Sequence, residues 1–307
     1  MGGMTAAFSH ITVPVDGSPT AERGVTFALE IARGGGVLTF CSVVDPSLVC
    51  LPGVAGTSID PGPMLAALDD NAAEFCRRAQ ARASAASVAC DTRVLHGESV
   101  AAVAALARAN SSQAIVVGTH ARTGFKRGIL GSFAEGLIRR SDVPVVAVHE
   151  DDLVRAGPIA VALDDSPAAY AALEVAGAIA AERGVPLLAI CACESLHCDR
   201  QRVDALLAEA VKRAAARGVP AQGVVGYGVA ADVLLAVADE HACSMIVTGT
   251  HGRAFFERLL LGSVAASLVE RARVPVVTVR RSLTKVRLPA FSAAEHRSSA
   301  APSFADR

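Results

Sequence analysis

The sequence predicts an α/β chain built twice, each half a parallel sheet covered by helices. Three observations carry that prediction. The chain repeats itself: displaced by 131 residues, 118–148 falls on 249–279 without a gap and with 17 of 31 positions identical, a match long enough to mark internal duplication. In both copies, short runs rich in valine and isoleucine alternate with longer alanine-rich stretches, the pattern of βαβ units and a parallel sheet. Finally, 52% of the 307 residues are apolar but only 4% are aromatic, with no tryptophan. Alanine, valine and leucine must then fill the interior, which suits helices lying on a sheet buried on both faces.

The elements follow in order. ITVPVD (11–16) reads as a strand, and PTAERGVTFALEIARGG (19–35) as a helix that Ser18 caps, Pro19 opens and glycine closes. VLTFCSVVD (37–45) is the second strand and MLAALDDNAAEFCRRAQARASA (64–85) the second helix. CDTRVLHG (90–97), VAAVAALARAN (100–110) and QAIVVG (113–118) read as strand, helix and strand, and SFAEGLIRRS (132–141) with VPVVAVH (143–149) closes the copy. The second copy keeps this order from IAVALD (159–164) to VPVVTVR (274–280), and VPVDGSP (13–19) meets VALDDSP (161–167). The first copy is longer by eighteen residues, and PSLVCLPGVAGTSIDPGP (46–63) supplies them with loop composition. The expected domains are 1–152 and 153–282, and the aperiodic stretch 283–307 is expected to be a disordered tail.

The repeated segment carries the chemistry. In SMIVTGTHGRAFFERLLLGS an apolar strand ends at Gly249, a loop follows, and a helix begins at Gly262 and Ser263. Ligands of parallel α/β sheets sit beyond the carboxyl ends of the strands. A helix start offers free N–H groups and the positive end of the dipole to an anion. Gly249 and Gly252 let the backbone approach a ligand closely or adopt a positive φ, and the Ser263 hydroxyl can donate to a phosphate oxygen. Neither a Walker loop nor a G-x-G-x-x-G turn is present.

Gly249-x2-Gly252-x9-Gly262-Ser263 resembles the ATP-binding signature of the universal stress protein family. The aspartate ending each first strand and the closing VPVV strands are similar as well. The resemblance spans 8–150 and 156–281 and implies two five-stranded, doubly wound domains of strand order 3-2-1-4-5. It implies that ATP is bound, with Asp164 and Ala192 near the nucleoside. Gly249, Thr250, His251, Gly252, Arg253, Gly262, Ser263 and Val264 would surround the phosphates. In the first half the corresponding residues are Pro14, Asp16 and Val43, then Gly118, Thr119, His120, Arg122, Gly131, Ser132 and Phe133. Each aspartate has two readings: an acceptor for ribose hydroxyls or the adenine amino group, or the anchor of an Asx turn. Arg122 and Arg253 divide equally between phosphate contact and a solvated loop, and the two histidines are read as backbone contributors. Two departures stand out. Ala121 occupies the second glycine position of the first half, where a positive φ is costly. Ala162 and Ala192 replace Pro14 and Val43 in the second half. On this reading the first half is altered at its phosphate end and the second at its base end.

The resemblance further implies a regulatory or stress-response role, with ATP hydrolysis slow at most and Mg²⁺ able to accompany the phosphates without a dedicated cage. The alternatives are a slow ATP hydrolase and a nucleotide-free interaction module. The two closing strands are expected to pair within the chain as a pseudo-dimer, with a homodimer and an unknown protein partner as further levels and the 46–63 loop as a candidate partner surface. A formal net charge of −1 offers no footprint for nucleic acid or an anionic membrane. No charged n-region precedes an apolar stretch at the N-terminus, Ala6 breaks the myristoylation pattern, and Glu174 interrupts AAYAALEVAGAIAA. A cytoplasmic protein is therefore expected, its eight cysteines reduced. CACESLHC (191–198) lacks the C-x2-C of zinc sites and is read as buried thiols.

Overall fold

The computed structural model describes residues 8–48, 62–119, 131–194, 198–252 and 261–280. The tail 283–307, and 49–61 of the long loop, lie outside the described residues. At the loop's margins, Pro46–Leu48 makes a 3-10 turn and Gly62 already belongs to the following helix.

The first half runs β1 (His10–Pro14), α1 (Pro19–Ala32), β2 (Val37–Val44), α2 (Gly62–Ala85), β3 (Ala89–His96), α3 (Ser99–Ala109), β4 (Ala114–Thr119), α4 (Ser132–Arg140) and β5 (Val145–His149). The second runs β6 (Ile159–Leu163), α5 (Pro167–Arg183), β7 (Leu187–Cys193), α6 (Arg200–Ala215), β8 (Ala221–Tyr227), α7 (Ala230–Glu240), β9 (Met245–Gly249), α8 (Ser263–Arg271) and β10 (Val276–Val279). Local chemistry fixes the helix starts. Ser18 accepts from the Ala21 N–H at 3.2 Å and Ser166 from the Ala169 N–H at 3.1 Å, each just before a proline at the first helical position. Gly184, at φ 63°, ends α5 in the left-handed conformation glycine adopts without strain.

The strands assemble in the order β3-β2-β1-β4-β5-β10-β9-β6-β7-β8. Each half keeps the order 3-2-1-4-5 with every pair inside it parallel. The closing strands pair within the chain as expected: β5 and β10 run antiparallel, Val146 opposite Val277, and join the halves into one sheet of ten strands. Both strands are buried along their whole length, and leaving either as an edge would expose unpaired backbone. The Thr278 hydroxyl reinforces the seam by donating to the Val145 carbonyl at 3.2 Å.

Helices cover both faces. Residues of α1, α2, α5 and α6 pack into one apolar layer, and those of α3, α4, α7 and α8 into the other. Each layer draws on both halves, so both cores run across the seam. The alanines do the work anticipated from composition: Ala169, Ala172, Ala176 and Ala180 of α5 are all buried, and their short side chains let the helix lie close to the strands.

Between β1 and β4, and again between β6 and β9, neighbouring strands send their chains to opposite faces of the sheet. A crevice opens at the carboxyl end of such a switch point. Because the seam is antiparallel, the two crevices open at opposite ends of the sheet.

Candidate functional site

The crevice of the second half is a cavity of about 500 Å³, within the range of small-molecule sites. Asp164, Ala192, Gly249, Thr250, His251, Gly252, Gly262, Ser263 and Val264 all line it; Arg253 lies outside the described residues. The loop is pinned at both ends. The Thr250 N–H donates to the Val279 carbonyl at 2.9 Å, and the Gly262 N–H donates to the Thr250 carbonyl at 2.9 Å. Gly262 is the N-cap of α8 and brings no side chain to the helix start, so no side-chain oxygen occupies the first N–H groups there. In α1, α3, α5 and α6 a serine or acidic side chain fills that place.

Asp164 holds its loop and its cavity with different oxygens. Oδ1 accepts from the Ser166 N–H at 3.1 Å, an Asx turn, whereas Oδ2 is turned toward Gly252. A Cβ at Gly252 would sit 2.7 Å from that oxygen, so glycine is needed for close approach. Of the two roles open to these glycines, positive φ is not used: neither Gly249 nor Gly252 lies in the left-handed region. Left-handed backbone occurs one residue after the aspartate, at Asp165 (φ 64°), where the first half has Gly17 (φ 76°). His251 places Nδ1 3.0 Å from the Thr250 hydroxyl, and its Nε2 is buried with no partner among the described residues.

The first half has a cavity of about 260 Å³ lined by Pro14, Asp16, Val43, Gly118 and Phe133 among others. Asp16 repeats the Asx turn, accepting from the Ser18 N–H at 2.9 Å. Thr119, Gly131 and Ser132 are not among its walls: Thr119 is buried and donates to the Val148 carbonyl, and Gly131 caps α4 as Gly262 caps α8. His120, Ala121 and Arg122 lie outside the described residues. Cys41 reaches this cavity, but burial, with Cys76 nearby, pushes its thiol far above the usual range. It is no nucleophile. Ala162 and Ala192, read in the sequence as losses at the base end, instead remove wall atoms from the larger cavity.

Several wall residues escaped the sequence reading. Glu194 lines the second cavity two positions beyond Ala192, and Ala230 and Leu234 of α7 close its far side. The duplication held a signal for α7: displaced by 131, Ala230 falls on Ser99, which lines the first cavity. The cysteines also differ from expectation. Cys193 and Cys198 form a disulfide, with Cα atoms 6.0 Å apart, which ties the end of β7 to the approach to α6. Among the described residues, Cys41, Cys76, Cys90 and Cys243 remain thiols. Among the described residues no cluster of three or more His, Cys, Asp or Glu side chains could hold a metal ion, and no helix is long and apolar enough to cross a membrane.

The profile of the universal stress protein family matches residues 7–149 and again 156–280. A universal stress protein of Mycobacterium tuberculosis is 33% identical over 189 residues, a match covering 56% of this chain and 63% of that protein. A second protein of that name from the same organism is 27% identical over 310 residues, covering 89% of this chain and 97% of its own. Among solved structures, a universal stress protein from Archaeoglobus fulgidus superposes with a TM-score of 0.74 at 21% identity, covering 91% of this chain and all of the other.

Proposed function

Because this chain belongs to the universal stress protein family, we propose that its second half binds an adenine nucleotide, ATP, and that the chain acts as a cytoplasmic, nucleotide-dependent regulator in a stress response. The observation that carries this reading is the convergence of every described signature residue of the second half on one cavity. In that cavity Asp164 and Glu194 accept from the ribose hydroxyls and the base amino group. Gly249 and Gly252 let the phosphates lie against the backbone. The first N–H groups of α8 and the Ser263 hydroxyl donate to the terminal phosphates, favoured by the helix dipole. His251 offers its buried Nε2 to the same anion, and Arg253, two residues on in the sequence, adds a positive charge to the loop. Mg²⁺ accompanies the phosphates through their own oxygens and water.

The first half holds a second, smaller site built on Asp16, Val43 and Gly118, with Gly131 and Ser132 at the start of α4. Two features favour holding the nucleotide over consuming it. Both aspartates already spend one oxygen on their own turns, and the Thr250 hydroxyl is buried against His251. Slow hydrolysis is the alternative.

Denaturing the purified chain and quantifying the adenine nucleotide released tests the reading, with Gly262→Asp and Gly131→Asp each placing a carboxylate at one helix start. Two nucleotides per chain, one lost in each variant, fit two sites; one, lost only in Gly262→Asp, fits the second half alone. No nucleotide, and no binding of added Mg-ATP, overturns the proposal. Phosphate release above background in the intact protein would favour the hydrolase.

A further inference from the structure

We infer that Cys193 and Cys198 are a reversible redox site that sets the order of the second crevice and leaves the first untouched; the effect on ligand affinity rests on the nucleotide reading above. The disulfide stands in the crevice wall. Cys193 lies between Ala192 and Glu194, which line the nucleotide cavity. A second cavity of about 350 Å³ adjoins it, lined by Cys193 and Cys198, by Cys191, and by Asp164, Asp165 and Arg202.

A relay leads from the bond to the ligand side. Cys198 precedes Asp199, the N-cap of α6, whose carboxylate accepts from the Arg202 N–H at 3.1 Å. Arg202, in the first turn, donates through Nε to Asp165 at 3.1 Å. The Tyr170 hydroxyl donates to the same carboxylate at 2.9 Å. Asp165 keeps a left-handed backbone, open to aspartate when its short side chain is hydrogen-bonded and costlier for it than for glycine, and its neighbour is Asp164. Releasing the sulfurs frees the start of α6, loosens the grip of Arg202, and lets the Asp164 loop relax. A bond closing so short a loop restrains little of the unfolded chain, so its effect is local. In the first half Val44 stands at the place of Cys193 and Gly17 at that of Asp165, so the relay is absent there.

The chemistry is thiol–disulfide exchange with a low-molecular-weight disulfide. Cys198 is partly exposed, at the amino end of α6 where the dipole favours a thiolate. Its sulfur attacks the small disulfide, forming a mixed disulfide and expelling one small thiolate. The Cys193 thiolate then attacks the Cys198 sulfur and expels the second. Two protein thiols lose two protons and two electrons, and one small disulfide becomes two thiols.

The test compares protein equilibrated with glutathione disulfide and protein reduced with a phosphine, with alkylation and mass measurement of the Cys193 and Cys198 peptides reporting the bond. Hydrogen exchange is followed at 164–166 and 199–202 without nucleotide, and ATP affinity in Gly131→Asp and Gly262→Asp backgrounds. Reduction is expected to speed exchange in both segments and to weaken ATP binding about tenfold in Gly131→Asp, with Gly262→Asp unchanged. Cys198→Ser, at the more exposed sulfur, should behave as reduced protein under both conditions. Sulfurs that stay free under oxidant, or exchange identical in the two states, would overturn the inference. Absence of ATP binding in both states with exchange still redox-dependent would sink the nucleotide reading alone.

Discussion

The two halves solve one problem by different means: how to hold the aspartate that ends the first strand facing the ligand. In the first half the next residue is Gly17, left-handed without strain, and the Phe75 ring packs where a side chain would project. In the second half Asp165 takes the same backbone shape, and polar restraints replace the ring: the Tyr170 hydroxyl, the Arg202 guanidinium and, behind it, a disulfide. Duplication preserved the shape of the loop while its chemistry moved from apolar packing to an ionic clamp. The cavities diverged with it, to about 260 Å³ and about 500 Å³.

The largest expected effect tests how tightly each half is built around its glycine strand end. At Gly118 a Cβ would run deep into the Thr20 carbonyl oxygen, whereas at Gly249 it would meet Ala168 less deeply, its methyl at 2.8 Å and its backbone carbonyl carbon at 3.0 Å. Gly118→Ala should lower unfolding stability by about 3 kcal/mol and Gly249→Ala by about half that, measured by urea denaturation. Equal losses would erase this distinction between the halves. Next come the matched core leucines of α4 and α8, Leu137 and Leu268, both wholly buried. Truncating either to alanine should cost about 3 kcal/mol. Because both cores cross the seam, each variant should still unfold in a single transition; two transitions would show that the halves melt independently.

A smaller effect concerns ligand. Gly252→Ala forces a methyl against Asp164 and should weaken ATP binding to the second half about tenfold, or ~1.4 kcal/mol. The reciprocal Ala121→Gly should strengthen binding to the first, both read by calorimetry. Failure of both changes would make the second glycine irrelevant to the difference between the sites. The smallest effect lies at the starts of α3 and α7. Glu98 caps α3, accepting from the Ala101 N–H at 2.8 Å, while its counterpart Val229 caps nothing. Val229→Ser should stabilise the protein by about 1 kcal/mol. The Ala101 hydrogen bond foremost, with Arg140 nearby, holds the Glu98 carboxyl below its ordinary value of 4.5. A lowered folded-state pKa means that the cap's contribution is complete above that value and is lost as the pH falls through the folded pKa. The penalty of Glu98→Gln should therefore fade in acid, while the gain from Val229→Ser persists.

The duplication, the strand and helix pattern and the glycine-loop residues of the second cavity were legible in the sequence, because periodicity and a repeated motif are properties of the chain itself; Glu194, Ala230 and Leu234 were not. Strand order came through the family resemblance, since no local pattern states which strands are neighbours. What escaped depends on contacts between distant segments. The close approach at Gly252 is to the carboxylate of Asp164, 88 positions earlier; the sequence allowed either close approach or a positive φ there, and the contact that decides between them lies too far along the chain to read locally. The left-handed position did leave a trace, since Gly17 stands where the second copy has Asp165. The disulfide left none, because a spacing of five matches no framework rule and the pairing depends on where the end of β7 lies relative to the approach to α6.

The seam has a consequence for assembly. Within a sheet a strand offers two flanks, and β5 and β10 have each used both: β5 between β4 and β10, β10 between β5 and β9. The hydrogen-bonding valence of the closing strands is thus satisfied inside one chain, and among the described strands only β3 and β8 keep an open flank. A second chain cannot join through the closing strands without first prying them apart. Among the described strands, an assembly through the outer flanks of β3 and β8 would extend the sheet in line as a ribbon.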